Sequence, residues 1–383
     1  MPSHRRSHIL AFVLPFWLRR PFLILRDLFA SRERPDLQKL ARIENANDFV
    51  WAILPHAART FSACIALLPE RSALAAAVAY LYCRMLDTYE DLVPDRSARE
   101  VALRAFADRF AGVEDAGAVI DRLPSPQLIA AASDRDERDR AHLLLVQRVD
   151  LVDRVFLALD APTRGIVADL VRDMAAGMRW SSAMFEDQGG VLVTEAQLAE
   201  YCRHVLGNPV VFGVRLIRLQ YGAPPQLSAD EREDAMLVGE MVQLANITRD
   251  VEKDLRRGIA YDPALRDDLR PSNPSDPQLV ERCRAVRERL LRMAVARVPA
   301  YRRVVEPMRL PRLSPARASA VLMLLFTERY FRGCARRVGM PAWDGPESTF
   351  TLFMRTVRAS VSRRIAYREI GRIERAFLAA ARA

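Results

Sequence analysis

The chain has 383 residues, 58 Lys+Arg against 48 Asp+Glu, and half of its residues are apolar. That composition excludes a disordered chain and is ample for a buried core without disulfide or metal staples. The net charge of +10 divides unevenly, +6 in residues 1–42, +11 in 301–383 and −7 between them, which excludes a nucleic-acid binder, whose basic face belongs to its working domain.

Residues 1–42 open with an apolar run, Ile9 to Leu18, that Arg19, Arg20 and Pro21 break. Ten apolar residues are too few to span a bilayer, and no small-residue cleavage site follows. Two readings stay open for this basic, Trp/Phe-containing segment: contact with a membrane interface, or a helix docked on the body. Beyond it the pattern is helical, rich in Ala and Leu, without useful runs of alternating β-branched residues. It predicts helices over 37–44, 47–68, 71–92, 97–112, 117–121, 126–132, 138–158, 161–186, 195–221, 229–254, 276–305, 314–338 and 346–380. Breaks fall at Pro69, Pro124, Gly189-Gly190 and Pro224-Pro225, and 256–275 is the longest irregular stretch. Ala318 to Phe326 is too short to cross a membrane. The expected architecture is all-α, one helical bundle over 43–345 between a basic N-terminal extension (1–42) and a basic C-terminal helix (346–383). The five cysteines lack zinc-site spacing, so reduced thiols and a cytoplasmic location are expected.

Two stretches carry chemistry. In AAAVAYLYCRMLDTYEDLVPD the helix is apolar nearly all round and then presents Asp87, Glu90 and Asp91, with Arg84 one turn earlier on the same face. In MLVGEMVQLANITRDVEKDLRRG, Gln243, Asn246, Asp250 and Asp254 recur at spacings of three, four and four, with Arg249 beside them. One D-x-x-x-D pair is ordinarily a solvated pair of charges. Two such sets, each on an apolar helix and each with its own arginine, suggest a lined cavity. Facing each other across a bundle, they would hold hard divalent cations with oxygen ligands, and through them a diphosphate gripped by arginine. A di-iron bundle would need Glu-x-x-His motifs, and His4, His8, His56, His142 and His204 supply none.

These residues resemble the squalene/phytoene synthase family, the head-to-head prenyl transferases. HAARTF (56–61) is similar to the family's S-R-[ST]-F element, with Ala58 in place of Ser, and RMLDTYED (84–91) to its first aspartate-rich motif in the D-T-x-E-D form of squalene synthases. GMRW (177–180), EYCRHVLG (200–207), QLANITRDVEKD (243–254) and RRGIAYDP (256–263) resemble further elements in the family's order. The resemblance covers about 45–345 and implies a single isoprenoid-synthase bundle with a central cavity. It implies that Asp87, Asp91, Asp250 and Asp254 bind Mg²⁺, with Glu90 supporting. It implies that Arg59, Arg84 and Arg249 bind diphosphate oxygens, that Tyr201 takes part in proton removal, and that Gln243 and Asn246 orient the ionised intermediate or a metal-bound water. The implied activity is condensation of two farnesyl diphosphates through presqualene diphosphate to squalene with NADPH. The alternatives are a phytoene or dehydrosqualene product without NADPH, a reaction stopping at presqualene diphosphate, and a non-catalytic member.

Departures from the family pattern bear on the product. Leu206 is larger than the usual alanine, and Pro209 removes a backbone donor inside a helix, where a kink is expected. Asp262 replaces a usual apolar residue. The arginines at 355, 358, 363, 364, 368, 372 and 375 read as a solvated face or as a basic helix on anionic lipid. The expectation is a monomer with a prenyl diphosphate substrate and peripheral membrane contact, on the inner face, through its basic ends.

Overall fold

The computed structural model describes residues 16–29, 35–58, 60–113, 137–308, 310–340 and 348–382. The expected helices over 117–121 and 126–132 lie outside them. The described residues are all-α; the one β feature is an isolated bridge between Val191 and Ala260. All five cysteines are free thiols. The chain forms two compact units, divided between Ala175 and Ala176.

The first unit runs through α1 (Phe16–Phe29), α2 (Leu37–Ala41), α3 (Ala46–Ala58), α4 (Thr60–Ala66), α5 (Glu70–Leu92), α6 (Arg96–Asp108), α7 (Glu137–Gln147), α8 (Val149–Leu157) and the first part of α9 (Ala161–Asp187). Helix α1 is docked on this unit. Leu23, Ile24 and Asp27 are buried, and Arg20 and Arg26 donate to the carbonyls of Leu68 and Trp51 at 2.9 Å each. Helix α5 is the core helix its composition predicts, with Ala73, Ala77, Leu81, Tyr82, Met85 and Leu86 fully buried. Tyr82 meets Phe106, Phe110 and Phe156 edge-on, and its hydroxyl donates to Asp153 at 2.8 Å. Arg109 holds the other oxygen of that carboxylate at 2.6 Å.

The second unit takes the end of α9, then α10 (Glu195–Cys202), a π-helical turn (Arg203–Gly207), α11 (Asn208–Gln220), α12 (Ala229–Arg257), a 3₁₀ turn (Pro263–Asp268), α13 (Pro277–Val305), α14 (Pro315–Arg337), α15 (Thr349–Val361) and α16 (Arg363–Arg382). Side chains mark the starts. Thr194 with Gln197 and Ser228 with Glu231 form capping boxes on α10 and α12, and Asp276-Pro277 and Ser314-Pro315 open α13 and α14. Gly258, at φ 82°, ends α12 in the left-handed region.

The kink expected at Pro209 takes the form of a wider turn. The Asn208 N–H reaches back five residues to the Arg203 carbonyl, and the helix resumes with Pro209 in its first turn, where no donor is required. This wide turn packs backbone to backbone on α12. A Cβ on Gly239 would stand 2.3 Å from the Gly207 nitrogen, and one on Gly207 would stand 2.5 Å from the Met236 sulfur. Below the contact, Glu240 is buried and accepts from Arg203 Nε at 2.6 Å and from Arg297 Nε.

Candidate functional site

In the first unit the site residues lie on the last two turns of α5. The spacing that puts Thr88 and Tyr89 into the core leaves Asp87 and Glu90 half-buried and Asp91 exposed. Arg84 Nη1 bonds Asp87 Oδ2 at 2.9 Å, and Arg84 Nη2 donates to the Tyr80 hydroxyl at 3.3 Å. Burial opposes the Arg84 charge, but Asp87, then Tyr80 and Asp91, outweigh it and hold the pKa above its ordinary value. The Thr88 hydroxyl donates to the Arg84 carbonyl at 2.7 Å, tying the turn that carries the arginine to the turn that carries the acids. Arg59 lies outside the described residues, between α3 and α4.

In the second unit the site residues lie along the C-terminal half of α12. Gln243 is buried, and Asn246 Nδ2 donates to its Oε1 at 3.3 Å. Arg249 grips Asp250 with two hydrogen bonds, at 3.0 and 2.5 Å, and its guanidinium lies 4.9 Å above the Tyr330 ring of α14. The bond to Asp250 raises the Arg249 pKa against the effect of burial. One turn on, burial and then the neighbouring Asp250 push Asp254 up to about 6. Arg257, Lys253 and Arg249 oppose that rise without cancelling it, and a cation beside the half-buried carboxylate would do the same.

Tyr201, on α10, has its hydroxyl 3.2 Å from that of Tyr261, and Phe185 of α9 stands edge-on to both rings. Burial, then Tyr201, then the nearby Asp254 carboxylate raise the Tyr261 pKa well above its usual value. Tyr261 thus links Tyr201 to the acidic face of α12. The RGIAYDP loop is built to hold it there. Ala260 exchanges backbone hydrogen bonds with Gly190 (2.8 Å) and Leu192 (3.0 Å). Gly190 has φ 90°, and a Cβ on it would stand 2.3 Å from the Gly258 carbonyl oxygen. Asp262, the departure from the family pattern, is buried; it caps the 3₁₀ turn through the Ala264 N–H at 2.9 Å and pairs with Arg289. Gly177, of the GMRW element, admits His204 where a Cβ would come within 2.5 Å of it.

The structure therefore brings together Arg84 with Asp87, Gln243 with Asn246, Arg249 with Asp250, Asp254 with Tyr261, and Tyr261 with Tyr201. The α5 set and the α12 set belong to different units. Among the described residues no three His, Cys, Asp or Glu side chains converge to hold a metal by themselves. The donors are nonetheless all oxygen, and the second face holds a half-buried carboxylate, Asp254, that burial disfavours as an anion. Both fit Mg²⁺, which takes one or two carboxylates and completes its shell with water and phosphate oxygens. Two residues escaped sequence reasoning. Tyr261 stood in a quoted motif without a role, and Glu240 was a lone acid in an apolar run, itself the signal of a buried ion pair.

A family model described as squalene/phytoene synthase matches residues 54–339. The 15-cis-phytoene synthase of Synechocystis sp. is 26% identical over 273 residues, 69% of this chain and 69% of that protein. Lycopaoctaene synthase of Botryococcus braunii is 27% identical over 214 residues, 54% of this chain and 41% of its own. Squalene synthase of Schizosaccharomyces pombe is 26% identical over 205 residues, 53% of this chain and 41% of its own. The solved structure of TcSQS with the ligand BPH1237 superposes with a TM-score of 0.63 at 17% identity, covering 88% of this chain and 98% of that one. The likeness to TcSQS is one of fold.

Proposed function

The chain belongs to the squalene/phytoene synthase family, and from that premise we propose that it joins two farnesyl diphosphates head to head, through presqualene diphosphate, to squalene. The observation that carries the reading is the pair of acidic helix faces, Asp87/Glu90/Asp91 and Asp250/Asp254, each with an arginine already bonded to its leading carboxylate. The D-T-x-E-D form of the first face supports squalene as the product.

In this reading Asp87, Asp91, Asp250 and Asp254 hold Mg²⁺, with Glu90 in support. Mg²⁺, when bound, supplies the Lewis acidity that makes diphosphate a leaving group. Arg84 and Arg249, each bonded to an aspartate here, would bind the diphosphate oxygens together with Arg59 once a cation holds the carboxylates. The allylic cation is attacked by the double bond of the second substrate, and a proton must leave as the cyclopropane closes. Tyr201, bonded to Tyr261, receives that proton and passes it to the departed diphosphate, since a neutral phenol is too weak a base to keep it. Gln243 and Asn246 orient the cation formed by the second ionisation. NADPH, when bound, would supply the hydride for that cation.

A second reading, a phytoene- or dehydrosqualene-type product formed by proton loss without NADPH, is favoured by the longer match to the cyanobacterial phytoene synthase than to the yeast squalene synthase. Incubation of the purified protein with farnesyl diphosphate and Mg²⁺, with and without NADPH, separates the two. Squalene formed only with NADPH supports the first reading. A dehydrosqualene product regardless of NADPH supports the second, and accumulation of presqualene diphosphate under both conditions places the stop halfway. Folded protein that turns over no prenyl diphosphate would overturn both.

A further inference from the structure

In the second unit, helix α15 has two unlike faces. Leu352, Thr356 and Ala359 are buried. On the other face Phe350 is 64% exposed, Met354 41%, Val357 41% and Val361 53%. Their spacings of four, three and four draw one apolar stripe about 16 Å long. It is extended at its C-terminal end by Leu313, 69% exposed, because the Ser314 N–H donates to the Ser360 carbonyl at 3.0 Å. The turn that presents Leu313 is fixed. Buried Arg317 donates to the carbonyls of Pro311 at 2.7 Å, Arg312 at 3.0 Å and Leu310 at 3.4 Å.

Among the described residues the exposed, unpaired charge near this stripe is basic. The acids of α16 are already engaged, Glu369 by Arg355 and Arg372 and Glu374 by Arg302. Arg312, Arg358, Arg364 and Arg368 are exposed and have no ion pair among the described residues. An apolar strip bordered by unpaired arginines complements a surface that is apolar within and anionic at its rim. No helix among the described residues is long and apolar enough to cross a membrane, so such a contact lies on the bilayer.

We propose that the α15 stripe, with Leu313, docks this chain on an anionic lipid surface, Phe350, Met354, Val357 and Val361 entering the acyl boundary and Arg358 and Arg364 meeting lipid phosphates. The proposal is independent of the reaction, and its test does not use turnover. The full chain is sedimented with phosphatidylcholine vesicles, with and without phosphatidylglycerol. The parent should partition onto the phosphatidylglycerol vesicles and little onto neutral ones. Replacing both Arg358 and Arg364 by Gln should weaken that partitioning roughly twenty-five-fold, at about fivefold per arginine near an anionic surface, and make it less sensitive to salt. Met354→Asp with Val357→Asp should abolish it at every salt concentration. All four positions are exposed or at the surface, and unchanged melting by circular dichroism checks that the variants are folded. Three results would overturn the proposal. One is a parent that ignores the vesicles. Another is variants that bind as well as the parent, which would place the contact elsewhere in the chain. The third is a parent dimer in light scattering that Met354→Asp with Val357→Asp converts to monomer, which would show a second copy covering the stripe.

Discussion

The acidic faces of α5 and α12 carry the same elements, an arginine followed by carboxylates one turn apart, on helices anchored in different ways. On α5 the arginine reaches forward three residues to Asp87, and the anchor is a polar contact inside an aromatic cluster, Tyr82 to Asp153 to Arg109. On α12 the arginine clamps its immediate neighbour Asp250, the next acid is driven towards protonation, and the anchor is a buried carboxylate held by two guanidinium groups. The same motif thus sits in two unlike surroundings, paired at i and i+3 on α5 and at adjacent residues on α12. On α5 one guanidinium, Arg84, stands among three carboxylates, of which Asp87 and Glu90 are half-buried and Asp91 exposed. On α12 burial, and then Asp250 one turn away, raise the Asp254 pKa against the pull of Arg257, Lys253 and Arg249, so a cation beside Asp254 would offset a cost of burial.

The strongest test of the comparison is to remove the leading acid of each face. Asp87→Ala and Asp250→Ala should each lower turnover of farnesyl diphosphate by roughly 10³-fold, about 4 kcal/mol of transition-state stabilisation, as should chelation of divalent cations. Either variant with parental activity would remove that face from the site. Next come the anchors. Glu240→Leu leaves Arg203 and Arg297 facing each other without their shared carboxylate and should cost about 3 kcal/mol in urea unfolding, because a partly buried charge loses its partner. Tyr82→Phe removes one hydrogen bond from a carboxylate that Arg109 still holds and should cost about 1 kcal/mol. Equal losses would erase the distinction between the two anchors.

The smallest effect sharpens the charge argument. The folded pKa of Asp254, about 6, lies above its ordinary 3.8. Between those values the folded state holds more protons than the unfolded state, so this group's contribution to the stability of cation-free protein falls as pH rises from about 4 to about 6. Asp254→Asn should therefore melt above the parent near about pH 7 and close to it near about pH 4. Added Mg²⁺ should raise the melting temperature of the parent at the higher pH more than that of the variant.

The all-α class, the core character of α5 and the one-face spacing of Asp250 and Asp254 were legible because each is a matter of local periodicity. Single-residue interruptions were not. The stretch 138–158 divides at Arg148 and 346–380 at Ser362, breaks too short to disturb a pattern summed over many residues. Long-range partners were also hidden. Glu240 finds its arginines 37 and 57 residues away, and Tyr261 finds Tyr201 at a distance of 60. The C-terminal arginines read as one basic row, whereas the fold turns Arg355 and Arg372 towards Glu369 and leaves Arg358, Arg364 and Arg368 outside. Membership in an ion pair is a property of packing, and spacing alone cannot sort these arginines.

The wide turn at Arg203–Gly207 has a consequence for reading homologues. It spends one residue more than an α-helical turn and absorbs it, so Tyr201 before it and Val211 after it keep the faces they would have in a straight helix one residue shorter. Each helical residue turns the chain by about 100°. A relative one residue shorter here would run as a straight helix with the same faces, and its sequence should be aligned with a gap inside 203–207. An ungapped alignment would set Leu206 and Pro209 against the wrong neighbours and mistake a change of helical phase for a change of side chain.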